Sequence, residues 1–235
     1  NQNVGYEFSV AAQVIRSKNW AWTTVINGSH VKDRINRIST TLKNTSYQIE
    51  EDSPLRLRFR EGGSQYDIYA VRSAGIDPAT GQEIFIDRNG EYTFRYDADD
   101  EVVVGNTQPK LQGTWLNTLR YKGWSLNLVF SYKFGGDTYN KTLWSKVEDI
   151  DPRYNVDARA FTDRWKRPGD LSRFLAIKEI RPEDSSYSSE RFVERLNELW
   201  LSSAMLTYEF QAKFLKRIGF KRLAIGVGVS DIFRL

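Results

Sequence analysis

The chain has 235 residues, of which 40% are hydrophobic and 14% aromatic, with no cysteine and a net charge of +4. The lack of cysteine excludes a disulfide scaffold, a thiolate metal site and a cysteine nucleophile. A mean hydropathy of −0.55 argues against helical membrane spans, and the sequence contains no run of 18 apolar residues, the length that such a span needs. It is compatible with a transmembrane barrel, whose strands place only alternate residues in lipid.

Charge gives little support to nucleic-acid binding. The 34 basic residues are interspersed with 30 acidic ones, and the only basic block is at residues 213–222. A nucleic-acid-binding face needs a cluster of basic side chains rather than an even mixture of signs. We therefore expect no nucleic-acid partner.

The first strands are predicted near the start of the chain. Residues 6–14 alternate between apolar and more polar side chains, which is the period of a β-strand. A short connection at 17–19 leads into a second alternating segment at 20–26, so the two segments form a predicted hairpin. Two shorter strands are predicted at 66–71 and 83–87, separated by a Gly- and Pro-containing turn at 75–81. The sequence is compatible with their lying in the main sheet or in a folded loop.

The clearest strand signal lies between Trp124 and Phe134. Every second residue here is aromatic or Leu, and the residues between them are polar except Val129. Eleven residues of period two fit one strand, and a tilted strand needs about nine to eleven residues to cross a bilayer. Of this segment we expect Trp124, Leu126, Leu128 and Phe130 to face lipid, and Ser125, Asn127, Ser131 and Lys133 to face a lumen.

The residues Lys122 and Gly123 predict a two-residue hairpin turn before this strand. A connection of this length ending in Gly is typical of turns that need a positive φ. It pairs Tyr121 with Trp124, Leu119 with Leu126 and Trp115 with Phe130, all on one face. The aromatic residues then form two rows, with Tyr121 and Trp124 at one membrane interface and Trp115, Tyr132 and Phe134 at the other.

The last strands are predicted from two further alternating segments. In the first, Trp200, Ala204, Leu206, Tyr208 and Phe210 share a face. A longer basic connection at 211–221, with one helical turn around Phe214 and Leu215, leads to the second. There, apolar residues from Leu223 to Val229 alternate with small ones, which suits a crowded inner face.

Two long polar stretches, at 29–65 and 135–196, are predicted as loops. A compact soluble domain rarely has two such loops, whereas outer-membrane barrels combine short periplasmic turns with long extracellular loops. The pattern therefore predicts an all-β fold, a transmembrane antiparallel β-barrel with its tight turns in the periplasm. A β-sandwich core remains the alternative interpretation of the alternating faces.

Within the second loop, residues 142–150 and 157–165 have helical composition. A loop with its own structure is more often functional than an irregular one. Its aromatic residues are candidates for stacking on a sugar or packing on a partner, or for packing within the loop: Trp144, Tyr154 and Trp165.

No catalytic or cofactor site is predicted. His30 is the only histidine and has no cysteine or second histidine beside it, so a zinc site is not expected. Two groups of carboxylates suit calcium by ligand type but lack the spacing of an EF-hand loop. We expect solvated loop acids, with loop-bound calcium as the alternative, at Asp97, Asp99, Asp100 and Glu101, and at Glu148, Asp149 and Asp151.

Several segments, taken in order, resemble one protein family. GIDPATG at 75–81 and IFIDRNG at 84–90, GNTQP at 105–109 and YKGWSL at 121–126 are similar to stretches of SusC/RagA-type TonB-dependent transporters. So are RWKRPGD at 164–170, SERFVE at 189–194, LTYEF at 206–210 and SDIFR at 230–234. The run LNEL at 196–199 departs from the usual tyrosine-containing pattern.

The resemblance implies that residues 1–235 are the C-terminal part of a 22-stranded barrel, about eight strands of it, with the plug domain and TonB box outside the given sequence. It also implies TonB-dependent import of a glycan or peptide across the outer membrane, with a SusD-like lipoprotein partner and no enzymatic activity. The alternative is a soluble or surface-exposed β-rich binding or adhesion module. A passive porin would differ only in sequence that precedes residue 1.

Overall fold

The computed structural model describes residues 1–39, 47–48, 56–150, 153–177, 188–210, 219 and 221–235. The chain divides into two compact units. The first, called the sheet unit, comprises Asn3–Lys32, Pro109–Gly136 and Leu196–Leu235. The second, called the loop unit, comprises Asn1–Gln2, Asp33–Gln108 and Asp137–Arg195.

Within the part of the chain that the structure describes, the sheet unit is built on six long strands. They are β1 (Gln2–Arg16), β2 (Trp20–Arg34), β10 (Leu111–Tyr121), β11 (Trp124–Tyr139), β12 (Val193–Glu209) and β13 (Ala224–Arg234). Their order in the sheet is β1-β2-β10-β11-β12-β13, and the pairings β2–β10, β10–β11 and β12–β13 are antiparallel. The sheet is open, because β1 and β13 lie at its two edges.

The predicted hairpin register is confirmed. Tyr121 pairs with Trp124, Leu119 with Leu126 and Trp115 with Phe130. The same residues of β10 pair on their other side with Trp20, Trp22 and Ile26 of β2. Since side chains alternate across a strand, one register fixes the face of every residue in these three strands.

The turn between β10 and β11 differs from the expectation in one detail. The positive φ of this turn belongs to Lys122, at 51°, and not to Gly123. Gly123 is required by a close approach: a Cβ there would lie 2.7 Å from the carbonyl oxygen of Glu209. The amide of Glu209 donates a hydrogen bond of 2.8 Å to the carbonyl of Gly123. Glycine therefore lets β12 pair with the chain at the turn.

The even-numbered residues of β12 do not all share one face. The hydroxyls of Ser131 and Ser202 are 2.6 Å apart, whereas the Tyr208 ring lies 4.7 Å from the ring of Trp124. Ser131 and Trp124 are on opposite faces of β11, so β12 changes face between Ser202 and Tyr208. The prediction that Trp200 and Tyr208 share a face is therefore wrong, because strict alternation does not hold along this strand.

Among its described residues, the loop unit carries seven short strands in three small sheets. These are β3 (Tyr47–Gln48) with β4 (Arg56–Leu57), β5 (Asp67–Ala70) with β9 (Val102–Asn106), and β6 (Arg72–Ile76), β7 (Glu83–Ile86) and β8 (Tyr92–Thr93) in one sheet. The two strands predicted around the 75–81 turn are thus in folded loops. The strand that pairs with β7 is β6, whereas the predicted segment at 66–71 pairs with β9.

Both predicted long loops are shorter than expected. β2 continues to Arg34, β11 to Tyr139, and β12 begins at Val193, so three strands extend into segments predicted as loops. The prediction ended these strands at their first run of polar residues. Polar residues are tolerated in a strand where it leaves an apolar environment, so the strands continue further. The predicted turn around Phe214 lies outside the described residues.

The helical segments of the second loop are confirmed but short. A helical turn at Lys141–Leu143 continues as a π-helical turn at Trp144–Glu148, and a second helix spans Arg159–Thr162. They enclose the core of the loop unit, which consists of Tyr139, Leu143, Trp144, Val147, Ala160, Phe174 and Phe192. Within the described residues, no helix combines the length and apolarity needed to cross a membrane.

Candidate functional site

One face of the large sheet, called the apolar face, carries aromatic side chains in two rows. In the first row, the Trp20 and Tyr121 rings are 4.4 Å apart and the Trp124 and Tyr208 rings 4.7 Å apart. The second row contains the stacked rings of Trp115 and Phe130 at 5.1 Å and of Tyr132 and Phe134 at 5.5 Å. Trp20, Trp115, Trp124 and Phe134 are more than a third exposed.

The distance between the two rows suits a bilayer. Phe134 lies ten positions after Trp124, and each step along a strand rises by about 3.3 Å. A strand tilted by about 40° then spans roughly 25 Å between these rings, which is the height of the apolar band of a transmembrane barrel.

Asn117 is a polar residue in the middle of this apolar face. It lies between Trp115 and Leu119 on β10, opposite Leu128, and is only 5% exposed. Trp22 Nε1 donates to Asn117 Oδ1 at 3.1 Å, and Trp115 Nε1 donates to Thr24 Oγ1 at 2.8 Å. The indole donors therefore satisfy the polar atoms of the face locally.

The opposite face of the sheet, called the polar face, is connected by side-chain hydrogen bonds. Ser9 Oγ donates to Asn27 Oδ1 at 2.7 Å, and Asn27 Nδ2 donates to Thr114 Oγ1 at 3.2 Å. Thr118 Oγ1 donates to Asn127 Oδ1 at 2.9 Å. These bonds join neighbouring strands, so this part of the polar face, from β1 to β11, presents neutral hydrogen-bond donors and acceptors.

Two features interrupt the polar face. Val25, Leu116 and Val129 form one apolar row across β2, β10 and β11, which accounts for the single apolar residue in the alternation of β11. A shallow depression of about 510 Å³ lies over β1, β2 and β10, and its lining includes Glu7, Ser9, Asn27, Gln112 and Thr114.

The loop unit is held together by a buried ion cluster that sequence reasoning did not identify. Arg191 Nη2 lies 2.7 Å from Glu83 Oε2 and 2.7 Å from Glu148 Oε1. Ser189 Oγ also donates to Glu83, and Arg191 Nη1 donates to the carbonyl of Arg173 at 2.8 Å. Burial alone lowers the pKa of the Arg191 guanidinium, but the bonds and charges of both glutamates outweigh it and raise that pKa above its usual value.

A second buried cluster surrounds Glu101. Its carboxylate accepts hydrogen bonds from Ser188 Oγ at 2.8 Å and from the Tyr96 hydroxyl at 3.0 Å, and it lies 3.0 Å from Arg58 Nε. Burial raises the pKa of Tyr96 above its usual value; the bond with Ser188 lowers it and the charge of Glu101 raises it. Glu101 thus has a structural role.

A third group of buried polar contacts in the loop unit surrounds Arg164. The guanidinium donates to the main-chain carbonyls of Ala160 at 3.1 Å, Leu175 at 3.0 Å and Glu148 at 2.8 Å, and also to that of Val147. The RWKRPGD motif therefore fixes the 159–175 segment through one arginine. The carbonyl partners of Arg164 lie within 17 residues of it, whereas Arg191 pairs with glutamates 108 and 43 residues away, which no local pattern could have identified.

The three aromatic candidates lie in different surroundings. Trp144 is 4% exposed and belongs to the core, so its indole packs within the loop, which is the alternative given for these residues. Trp165 packs on Gly81, where a Cβ would lie 2.5 Å from the indole, and donates to the carbonyl of Pro78 at 2.9 Å. Tyr154 is 72% exposed, so its ring is accessible to a ligand or a partner, and its contact role stays a prediction.

The predicted carboxylate groups are largely engaged by protein atoms. Asp97 caps the 3-10 helix Ala98–Asp100, and Asp100 accepts the amide of Arg88 at 3.1 Å. Glu101 and Glu148 are buried in the clusters described above. Among the described residues, no three metal-ligating side chains of this kind converge. Loop-bound calcium stays a prediction.

Known proteins similar to the chain include two from Formosa agariphila. The TonB-dependent receptor P39 is 22% identical, over 99% of this chain and 26% of its own length. The TonB-dependent receptor P3 is 26% identical, over 60% of this chain and 16% of its own length. No family model matches the chain.

Solved structures give the same result for the fold. The RagAB peptide transporter superposes with a TM-score of 0.77 at 17% identity, over 99% of this chain and 26% of that one. The RagAB peptide importer in the open-open state superposes with a TM-score of 0.75 at 16% identity, over 99% of this chain and 25% of that one.

The fold is that of an open, antiparallel portion of an outer-membrane barrel wall with structured loops. The predicted resemblance to SusC/RagA-type TonB-dependent transporters is confirmed, by the named receptors and by the fold of the transporters. These are receptors and transporters by name, in agreement with the expectation of a non-enzymatic protein. The chain spans about a quarter of the length of the relatives that it matches over 99% of its residues.

Proposed function

We propose that this chain forms part of the wall and loops of a TonB-dependent transporter that imports a glycan or peptide nutrient across the outer membrane. The observation that carries the proposal is the two-faced sheet of the sheet unit. Its apolar face has two aromatic rows spaced for a bilayer, and its polar face is connected by neutral hydrogen bonds.

The two faces suit different solvents. Exposed aromatic and aliphatic side chains on the apolar face gain free energy from contact with lipid, as in the wall of a membrane barrel. Side chains of the polar face, such as Asn27 and Asn127, can exchange their hydrogen bonds with water or with a passing solute. We therefore assign lipid to the apolar face and a water-filled lumen to the polar face.

The proposed partners follow from the family resemblance. A SusD-like lipoprotein would cover the extracellular mouth, and TonB would act through a plug domain that lies outside residues 1–235. The structured loop unit, fixed by Arg191 and Arg164, suits a rigid extracellular surface better than a mobile lid. Tyr154 is the exposed aromatic residue that we propose for contact with substrate or lipoprotein.

Uptake and fractionation test the proposal together. Cells that carry the natural protein are expected to hold it in the outer membrane and to take up some members of a panel of fluorescent oligosaccharides and oligopeptides. Deleting either its gene or tonB should abolish that uptake, and deleting the gene of the proposed SusD-like lipoprotein should abolish it as well.

A contrary result would favour the soluble alternative. If the chain is recovered as a soluble monomer of 27.3 kDa, the face of Trp124 must pack on another sheet, as in a binding or adhesion module. If uptake is normal without TonB, the protein is a passive pore.

A further inference from the structure

A cationic site surrounds Trp200 on the polar face of the sheet. Lys133 on β11, Trp200 on β12 and Arg234 on β13 lie on three neighbouring strands. Lys133 Nζ is 5.7 Å from the centre of the Trp200 ring, and Arg234 Cζ is also 5.7 Å from it. Two long basic side chains thus reach towards one indole from both sides.

An irregularity of β13 brings Arg234 to this position. Ser203 pairs with Ser230, but Leu201 pairs with Phe233 and Trp200 with Arg234, so β13 contains one extra residue. Without it the register would place Phe233 opposite Trp200. The extra residue lies where Asp231 has a φ of 51°, a left-handed conformation that is uncommon outside glycine and that Asp adopts more readily than most residues. Strain of this kind is often found at functional sites, where a bulge directs a side chain.

The charges of this site do not balance. Glu198 is 7% exposed and forms an ion pair with Arg234. Within the part of the chain that the structure describes, Lys133 has no carboxylate partner, so two cations share one anion. Each is also within the range of a cation–π contact with Trp200, which holds the two charges close to one ring. An anionic group placed between them would restore neutrality.

We propose that Lys133, Trp200 and Arg234 bind a carboxylate group of the imported molecule; this inference rests on the proposed transport function. The two cations supply charge-assisted hydrogen bonds to the anion, since Arg234 uses only Nη2 for Glu198. The indole contacts the apolar surface next to the anionic group, whether a sugar ring or an aliphatic side chain. The site selects acidic oligomers over neutral ones.

Binding to the natural protein in detergent, measured by isothermal titration calorimetry, tests this inference. Tetragalacturonate is compared with maltotetraose, and tetraglutamate with tetraalanine, so that the source of the carboxylate is distinguished. At least one acidic oligomer is expected to bind about tenfold more tightly than its neutral counterpart. Equal affinity within both pairs would overturn the inference.

Variants locate the binding at this site. Lys133→Gln, which breaks no ion pair among the described residues, is expected to remove the preference for the acidic oligomer. Arg234→Gln should have the same effect, and Arg234→Lys should retain part of it. The matched control is Arg222→Gln in the same unit, whose exposed arginine precedes β13 and lies 2.8 Å from Glu209. An unchanged preference in Lys133→Gln, with the heat-modifiable barrel band intact, would contradict the assignment.

The two proposals fail in different ways. If TonB-dependent uptake is observed but acidic and neutral oligomers bind equally, the anion site is wrong and the transport function stands. If uptake does not depend on TonB, the transport function fails whatever the result of the binding experiment.

Discussion

Trp22 Nε1 donates a 3.1 Å hydrogen bond to Asn117 Oδ1 in the middle of the apolar face. Asn117 is 5% exposed, although Trp115, two residues before it on the same face, is 37% exposed. The indole therefore satisfies the hydrogen-bonding requirement of the Asn117 side-chain oxygen on the face that we assign to lipid, where no water would replace the bond.

Replacing Asn117 by Ala is expected to destabilise the barrel by about 1–3 kcal/mol, because the Trp22 N–H loses its acceptor. The double variant Asn117→Leu with Trp22→Phe should cost less than the sum of the single changes. Urea unfolding in lipid vesicles measures both. The matched control is Asn127→Ala on the polar face, where water replaces the lost bond; a cost equal to that of Asn117→Ala would count against the assignment of the faces.

Replacing Leu128 by Arg is expected to impair assembly by about 2–4 kcal/mol, the cost of an arginine at the lipid midplane. Asn127→Arg changes the neighbouring residue, which points to the opposite face of β11, and should have a much smaller effect. The amount of heat-modifiable protein in the outer membrane reports both. Equal losses would mean that the two faces meet the same solvent.

Replacing Arg191 by Met is expected to destabilise the loop unit by about 3–5 kcal/mol, because Glu83 and Glu148 stay buried without a counter-charge. Limited proteolysis should then cleave the loops while the barrel band persists. Arg173→Met provides the control, since its ion pair with Glu194 is exposed and contributes about 0.2–1 kcal/mol. Similar cleavage of both variants would contradict the conclusion that the buried ion pairs of Arg191 stabilise the loop unit.

Tyr96 is expected to ionise later than a free tyrosine, because burial raises its pKa above the usual value near 10. The folded state then binds the proton more tightly than the unfolded state. Its contribution to stability is present in full below about pH 10 and is lost as the pH rises through the raised pKa. The difference between absorbance titrations at 295 nm of wild type and Tyr96→Phe isolates this residue. A midpoint below 10 would contradict the buried environment.

Regular alternation let the sequence predict the β10–β11 hairpin in full. A period of two and a two-residue turn leave one register, so the pairing of Tyr121 with Trp124 followed from local information. The same reasoning failed for β12, where the change of face between Ser202 and Tyr208 has no counterpart in the pattern of residues. Strand ends were also misjudged, since β2 and β11 run on through polar residues.

The sequence alone determined the antiparallel sheet, its two faces and the family resemblance, because each depends on residues that are neighbours along the chain. Only the tertiary structure decided that Trp144 is buried in a core, and that Arg191 joins two glutamates 108 and 43 residues away. It also decided that one extra residue in β13 directs Arg234 to Trp200. Burial and ion pairing depend on which distant segments meet, and no local pattern of side chains encodes that.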